Sequence, residues 1–310
     1  LLVMEHRQTG KINFRNFYIR RILKIWPLYF FYLILGSIII APVDGRNINL
    51  PWHIVSLSTF TFNFAYLALL PSPILIFVHL WSISYEEQFY AAIPWLTRKL
   101  ASAAQNTRTN WFIFLFGMGC VIRALFIQFR VHPAAIYFLP ITHFESLLGG
   151  IALGLGILEP ILTRFKTRTL WVTVLALTSS IFILPNNNVT EWGLMLTYLC
   201  VGAFTTLLLY VLITQPYSPI TRFVGNSLFT QLGKISYGLY IFHFGCFMLA
   251  ASIVDLSLKV QQPVLPLHTL LILCIAFALT IIFASISYRF IEKPALSLKR
   301  KFSALPTGLK

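Results

Sequence analysis

Four stretches of the chain, residues 22–41, 111–129, 192–213 and 265–286, are apolar almost throughout and long enough to cross a hydrocarbon core of roughly 30 Å as helices. Lipid offers no water to exposed backbone N–H and C=O groups, so only helices or a closed barrel can occupy it. These runs lack the alternating polar residues of barrel strands. They read as membrane-crossing helices, and the expected fold class is all-α, a polytopic transmembrane helix bundle. Composition agrees: with 57% hydrophobic and 11% charged residues in 310, the chain has more apolar surface than one water-soluble core can hide.

A formal net charge of +15 would suit a nucleic-acid partner if the cations lined one exposed face. They gather instead in short segments between apolar runs: 7–24, 98–108, 164–168, the stretch with Arg222 and Lys234, and a tail with Arg289, Lys293, Lys299, Arg300, Lys301 and Lys310. Membrane orientation explains this pattern, and no nucleic-acid partner is expected. Basic short loops stay in the cytoplasm, so the N-terminal loop and C-terminal tail are expected on that side of the inner membrane. The intervening segments 42–51, 130–135, 185–191 and 255–262 carry only Arg46, Arg130 and Lys259, and are expected outside.

An odd number of crossings must separate Asp44 from Arg98, yet two apolar stretches, 54–70 and 74–96, lie between them. The first carries Thr59, Thr61 and Asn63 and ends in Pro-Ser-Pro at 71–73, so it is expected to be re-entrant or interfacial. About eight spans remain, near 22–41, 75–96, 111–129, 136–158, 169–185, 192–213, 235–254 and 265–288, in a single domain. Cys120, Cys200, Cys246 and Cys274 stand singly without metal or redox spacing, and no metal is expected. The opening LLVMEHRQTG reads as the end of an apolar run, so an upstream segment is expected. The Asn188–Thr190 sequon is too short a pattern to carry weight.

Five constellations carry chemistry. In FRNFYIRRILKIWPLYF, 14–30, helical spacing puts Arg20, Arg21 and Lys24 around one turn, which suits a polyanion; an orientation signal that also contacts lipid headgroups is the simpler reading. Pro27 is expected to kink or start the span. In HLWSISYEEQFYAAIPWL, 79–96, the polar residues Glu86, Glu87 and Gln88 must face a cavity or a partner. Ser82, Glu86 and Tyr90 share a helix face, either to orient a catalytic group or to meet a cation.

In ITHFESLLGGIALGLG, 141–156, His143 and Glu145 point to different helix faces, so each needs its own partner, and the glycines read as close helix packing. Arg123, a cation deep in an apolar run, should meet Glu145 or Glu86. GKISYGLYIFHF, 233–244, holds Ser236, Tyr237 and His243, the last a base or a structural histidine. SYRFIEKPAL, 287–296, holds Arg289 and Glu292 as a surface pair or cap.

Taken in order, FYIRRILKIWPLY, HLWSISYEEQFY, THFESLLGG, ISYGLYIFHF and YRFIEKP resemble the membrane acyltransferase 3 family, integral membrane O-acyltransferases of bacterial surface sugars. The resemblance implies an acyl-CoA donor on the cytoplasmic side, no permanently bound cofactor, and an acceptor hydroxyl on an extracytoplasmic saccharide or glycolipid. It implies that Arg20 and Arg21 bind the donor, joined by Lys24 where an Arg is usual. It also places the family's catalytic His on a span preceding Leu1, with two spans expected upstream and the fragment alone expected to be inactive.

Glu86 and Glu87 match the family's acidic pair, and with His143 and Glu145 they form the supporting catalytic candidates. Trp81, Ser82, Tyr90, Ser236, Tyr237 and His243 are the substrate-binding candidates, with membrane lipid a further partner. Two rival classes stay open: a transporter or flippase for a lipid-linked sugar or acyl compound, using Glu86, Arg123, Glu145 and His243 as a pathway, and a non-catalytic membrane protein.

Overall fold

A computed structural model describes residues 2–40, 50–68, 74–183, 191–258 and 266–302. Arg46, the Pro-Ser-Pro at 71–73, the Asn188–Thr190 sequon, Lys259 and Lys310 lie outside the described residues. Among the described residues every regular element is helical: α1 Leu2–Thr9, α2 Phe14–Ile40, α3 Leu50–Ser58, α4 Phe62–Ala68, α5 Trp81–Ala101, α6 Gln105–Gln128, α7 Pro133–Phe138, α8 Glu145–Gly154, α9 Glu159–Leu162, α10 Thr167–Ile183, α11 Glu191–Thr214, α12 Pro219–Val224, α13 Ser227–Leu258, α14 Pro266–Ser287 and α15 Lys293–Lys299. A 3₁₀ helix, Leu75–Leu80, leads into α5, and a π turn, Tyr288–Glu292, joins α14 to α15.

Among the described residues five helices are long and apolar enough to cross a membrane: α2, α6, α11, α13 and the run that begins with α14. That last run is apolar as far as Ser287, where we place the end of the span; the tail with Arg289, Lys293 and Lys299 follows. Outer faces carry large apolar side chains in the open, Ile38 at 64% and Phe277 at 65% exposure, as a lipid-facing surface requires. The protein is therefore an all-helical membrane protein with an inside-out surface.

Two expectations change. The span expected at 22–41 begins earlier, at Phe14, where Asn13 Oδ1 accepts the Asn16 N–H at 3.0 Å. Arg20, Arg21 and Lys24 thus lie on the helix itself, and Pro27 neither starts it nor ends it.

The span expected at 136–158 is not one helix. It is broken into α7, a 3₁₀ turn at Pro140–Thr142, and α8. Pro140 explains the break, because it forces the residue before it out of the α region, Leu139 having ψ 132°; Pro133 sets the start of α7 in the same way, His132 having ψ 131°.

The stretch expected to be re-entrant holds two helices, α3 of nine residues and α4 of seven, each too short to cross. Between them Phe60 takes φ +53°, while the side chain of Asn63 is fully buried.

Two compact units divide the chain: residues 1–12 with 85–223, and residues 13–84 with 224–310. In the first, α11 packs on α8, α10 and α6. Its cores are Leu100, Ala152, Leu155 and Ile157 near α8, and Leu170, Val174, Leu207 and Val211 between α10 and α11. A Cβ at Gly149 would fall 1.8 Å from Thr206 Oγ1, so α8 and α11 approach this closely only because that position is Gly. In the second unit, α13 and α14 pair through Ala250, Val254, Ile272 and Ala276. Tyrosine hydroxyls then tie α2 to its neighbours: Tyr29 donates to Leu57 O at 2.9 Å, Tyr32 to Ile76 O at 3.0 Å, and Tyr237 donates to Ile25 O at 2.8 Å.

Candidate functional site

Within the first unit the candidate residues His143 and Glu145 lie near Arg123, which is fully buried on α6. Its Nη1 donates to Thr142 O at 2.6 Å and its Nη2 lies 2.7 Å from Glu145 Oε1. The expected partner is therefore Glu145. The pair is close but not aligned as a hydrogen bond, and Glu145 Oε2 has no hydrogen-bond partner among the described residues. A buried carboxylate oxygen in this state is an acceptor for a hydroxyl or a water.

Small neighbours make room for the pair. A Cβ on Gly119 would touch Glu145 Oε1 at 3.5 Å, and one on Gly202 would touch Glu145 Cβ at 3.4 Å. The guanidinium also lies 5.4 Å from the Tyr198 ring centroid, a cation–π distance.

The proline break places His143 outside any helix, with φ −154° and ψ 37°. Its ring is sandwiched between Tyr85, stacked at 4.9 Å and 10°, and Tyr198 at 5.0 Å and 32°. Thr142 Oγ1 lies 2.6 Å from the carbonyls of both Ile136 and Leu139, so its single proton is committed to the backbone. It can then only accept from His143 Nδ1, 3.1 Å away, which assigns the Nδ1–H tautomer and leaves the ring's lone pair on Nε2. Tyr85 OH donates to His143 O at 3.4 Å. On α5 the Tyr90 hydroxyl donates to Glu86 Oε1, one helical turn back, while Glu86 and Glu87 are both half-buried. The expected stripe of Glu86 and Tyr90 is thus a bonded pair.

In the second unit a different polar group forms where the 3₁₀ helix meets α13. Tyr240 OH donates to His79 O and receives the Ser82 hydroxyl. His79, 8% exposed, donates from Nε2 to Ile241 O at 3.1 Å, leaving Nδ1 buried without a hydrogen-bond partner. Its ring meets the exposed His243 edge-on at 4.9 Å. His243 donates from Nδ1 to Tyr240 O at 2.6 Å, so its lone pair is on Nε2.

Sequence reasoning passed over His79 and Tyr240 although both stand inside motifs it quoted. The available signal was that each of those short motifs contains a histidine and a hydroxyl. Ser236 is exposed and bonds back to Gly233 O at 2.9 Å, and the Tyr237 hydroxyl is used by Ile25 O. Trp81 is half-buried at the start of α5.

Also in the second unit, Arg20 and Arg21 are half-buried and Lys24 is exposed, all within about one turn of α2. Arg20 Nη1 donates to Phe302 O at 2.7 Å, and Arg21 lies 5.6 Å from the Phe17 ring centroid. Just beyond α14, Glu292 is buried near Lys24 and receives the Ser287 hydroxyl at 3.2 Å. Burial pushes its carboxyl up to about 7, against the opposing pull of that hydrogen bond and of Lys24. The expected surface pair of Arg289 and Glu292 is corrected accordingly, since Glu292 turns inward while Arg289 lies near the Phe290 ring, 5.6 Å from its centroid. Among the described residues no group of three or more His, Cys, Asp or Glu could hold a metal.

The chain is thus a helical membrane protein with polar side chains buried in each of its two units. The family model described as an acyltransferase domain, acyltransferase 3, matches residues 1–289, and the chain belongs to that family. It is similar to a protein named "Putative O-acetyltransferase" from Staphylococcus aureus strain COL, 26% identical over 315 residues, covering 95% of this chain and 49% of the relative. It is also similar to the O-acetyltransferase OatA of Staphylococcus aureus strain NCTC 8325, 24% identical over 319 residues with the same coverages. The chain spans about half the length of the curated relatives it matches. No solved structure matches it.

Proposed function

We propose that the full-length protein is a membrane O-acyltransferase that moves an acyl group, with acetyl the expected one, from acyl-CoA on the cytoplasmic side to a hydroxyl of an extracytoplasmic saccharide or glycolipid. In this transfer the acceptor oxygen forms a bond to the thioester carbonyl carbon, the C–S bond breaks, and the acceptor's proton ends on the released coenzyme A thiol. Family membership and the relatives' O-acetyltransferase names support the chemistry.

The observation that carries the donor is the single helical turn presenting Arg20, Arg21 and Lys24 in the basic end of a membrane-length helix. Guanidinium groups bind phosphate oxygens through paired N–H donors, and coenzyme A offers several phosphates. In the first unit, the groups able to hold or steer a proton are His143 through Nε2, Glu145 through Oε2 and the Glu86–Tyr90 pair. The half-buried Trp81 and Tyr90 offer aromatic faces of the kind sugars favour.

The test is acyl transfer from radiolabelled acetyl-CoA to membrane glycans by the full-length protein and its Arg20→Ala/Arg21→Ala variant at matched expression. Transfer by the parent and its loss in the variant is the expected result. Absence of transfer from a panel of acyl donors, in a correctly inserted parent protein, overturns the proposal and favours the transporter reading.

A further inference from the structure

The tail beyond α14 does more than follow the last long helix. Both α15 and the turn Arg300–Phe302 pack against α2, the helix that carries Arg20, Arg21 and Lys24. Arg20 reaches across 282 positions of sequence to bond the carbonyl of Phe302, which fixes the tail beside the cationic turn. Lys299, the last residue of α15, comes within electrostatic reach of all three cations. We propose that the tail completes a phosphate-binding site, with Lys299 as a fourth cation acting alongside Arg20, Arg21 and Lys24.

Two features support this. First, the Lys299 ammonium is held below its usual range, by burial first and then by Lys24, Arg21 and Arg20. A group repelled in this way gains from an anion more than an isolated surface lysine does. Second, the carboxyl beside Lys24 belongs to Glu292, which burial raises to about 7, so near neutral pH it offsets only part of the positive field.

Phosphate here has two sources, an acyl-CoA donor or an anionic lipid headgroup. The proposal commits to the donor and rests on the acyl-CoA reading given above.

The experiment measures coenzyme A binding to the full-length protein in phosphatidylcholine nanodiscs, for the parent, Lys299→Ala, Lys299→Arg and Arg20→Ala/Arg21→Ala. A short-chain phosphatidylglycerol serves as a second probe. Lys299→Ala is expected to weaken coenzyme A binding about fivefold, the upper end for one partly exposed charge. In transfer assays it should raise KM for acetyl-CoA by a similar factor at unchanged kcat, and Lys299→Arg should restore both.

An unchanged coenzyme A affinity in Lys299→Ala, with affinity lost in the double arginine variant, overturns the role of the tail and leaves the donor reading standing. Weakening confined to the phosphatidylglycerol probe overturns the donor assignment of Lys299 in favour of a headgroup. If the double arginine variant itself binds coenzyme A normally, the donor reading fails, and the inference with it. Matched melting temperatures across the variants confirm that binding, not folding, has been read.

Discussion

The polar group around Arg123 and the cationic group around Lys24 belong to different compact units, and they handle charge in opposite ways. In the first, one buried guanidinium meets one buried carboxylate 2.7 Å away, and the surrounding hydroxyls and rings fix their positions. Charge is balanced in place, as a low-dielectric interior demands. In the second, Arg20, Arg21, Lys24 and Lys299 lie within electrostatic reach of one another beside one carboxyl raised to about 7. The first arrangement is balanced in charge yet keeps an acceptor open at Glu145 Oε2. The second is electrostatically improved by a ligand. The contrast between the two groups is thus one of charge balance.

The largest effect should come from breaking the balanced pair. Arg123→Ala or Glu145→Ala leaves one buried charge without its partner and should destabilise the fold by about 3–5 kcal/mol. Arg123→Met/Glu145→Leu, which removes both charges, should recover most of that loss. Thermal unfolding in detergent checks this, and a double variant no more stable than the singles would sink the account. Next, Arg20→Ala/Arg21→Ala should raise KM for acetyl-CoA by about tenfold or more, since each charge-assisted bond contributes about 1.5–3 kcal/mol. Its melting temperature should stay near the parent's, in contrast to the first pair.

A smaller effect separates packing from proton handling at His143. Phenylalanine keeps a ring between Tyr85 and Tyr198, whereas alanine loses stacking interactions of about 0.5–1.5 kcal/mol. His143→Phe should therefore melt near the parent while its acyl transfer falls; transfer at the parental rate would assign the histidine to architecture alone. The smallest effect concerns Glu292. Its carboxyl is raised in the folded protein, so ionisation opposes folding. That opposition is absent below the ordinary carboxylate range, grows as pH rises toward about 7, and is complete above it. Relative to Glu292→Gln, the parent's melting temperature should fall by roughly 2 °C between pH 5 and 8. Parallel profiles would show that Glu292 does not titrate in this window.

Much of this was legible in the sequence where the signal is local. Apolar runs of membrane length located α2, α6, α11, α13 and α14, and a lone Arg in such a run demanded a carboxylate. What misled was the hydropathy of 136–158, which averages over backbone geometry. Pro140 cuts that stretch without making it polar, and the cut sets His143 against two tyrosine rings instead of on a helix face. The quoted motifs likewise concealed His79, because its meeting with His243 joins residues far apart in sequence.

The sequence by itself determined the solvent, the helical class and the family, because lipid burial and backbone hydrogen bonding act residue by residue and leave their record in composition and run length. It also determined that the cations of α2 share a turn, since helical spacing is local. Only the tertiary structure decided which carboxylate Arg123 meets, which tautomer His143 holds, and that the C-terminal turn folds back onto Arg20. Those outcomes depend on contacts between helices distant in sequence, and at Gly149 on an approach that a side chain would obstruct. A glycine's value there is set by the neighbour it faces.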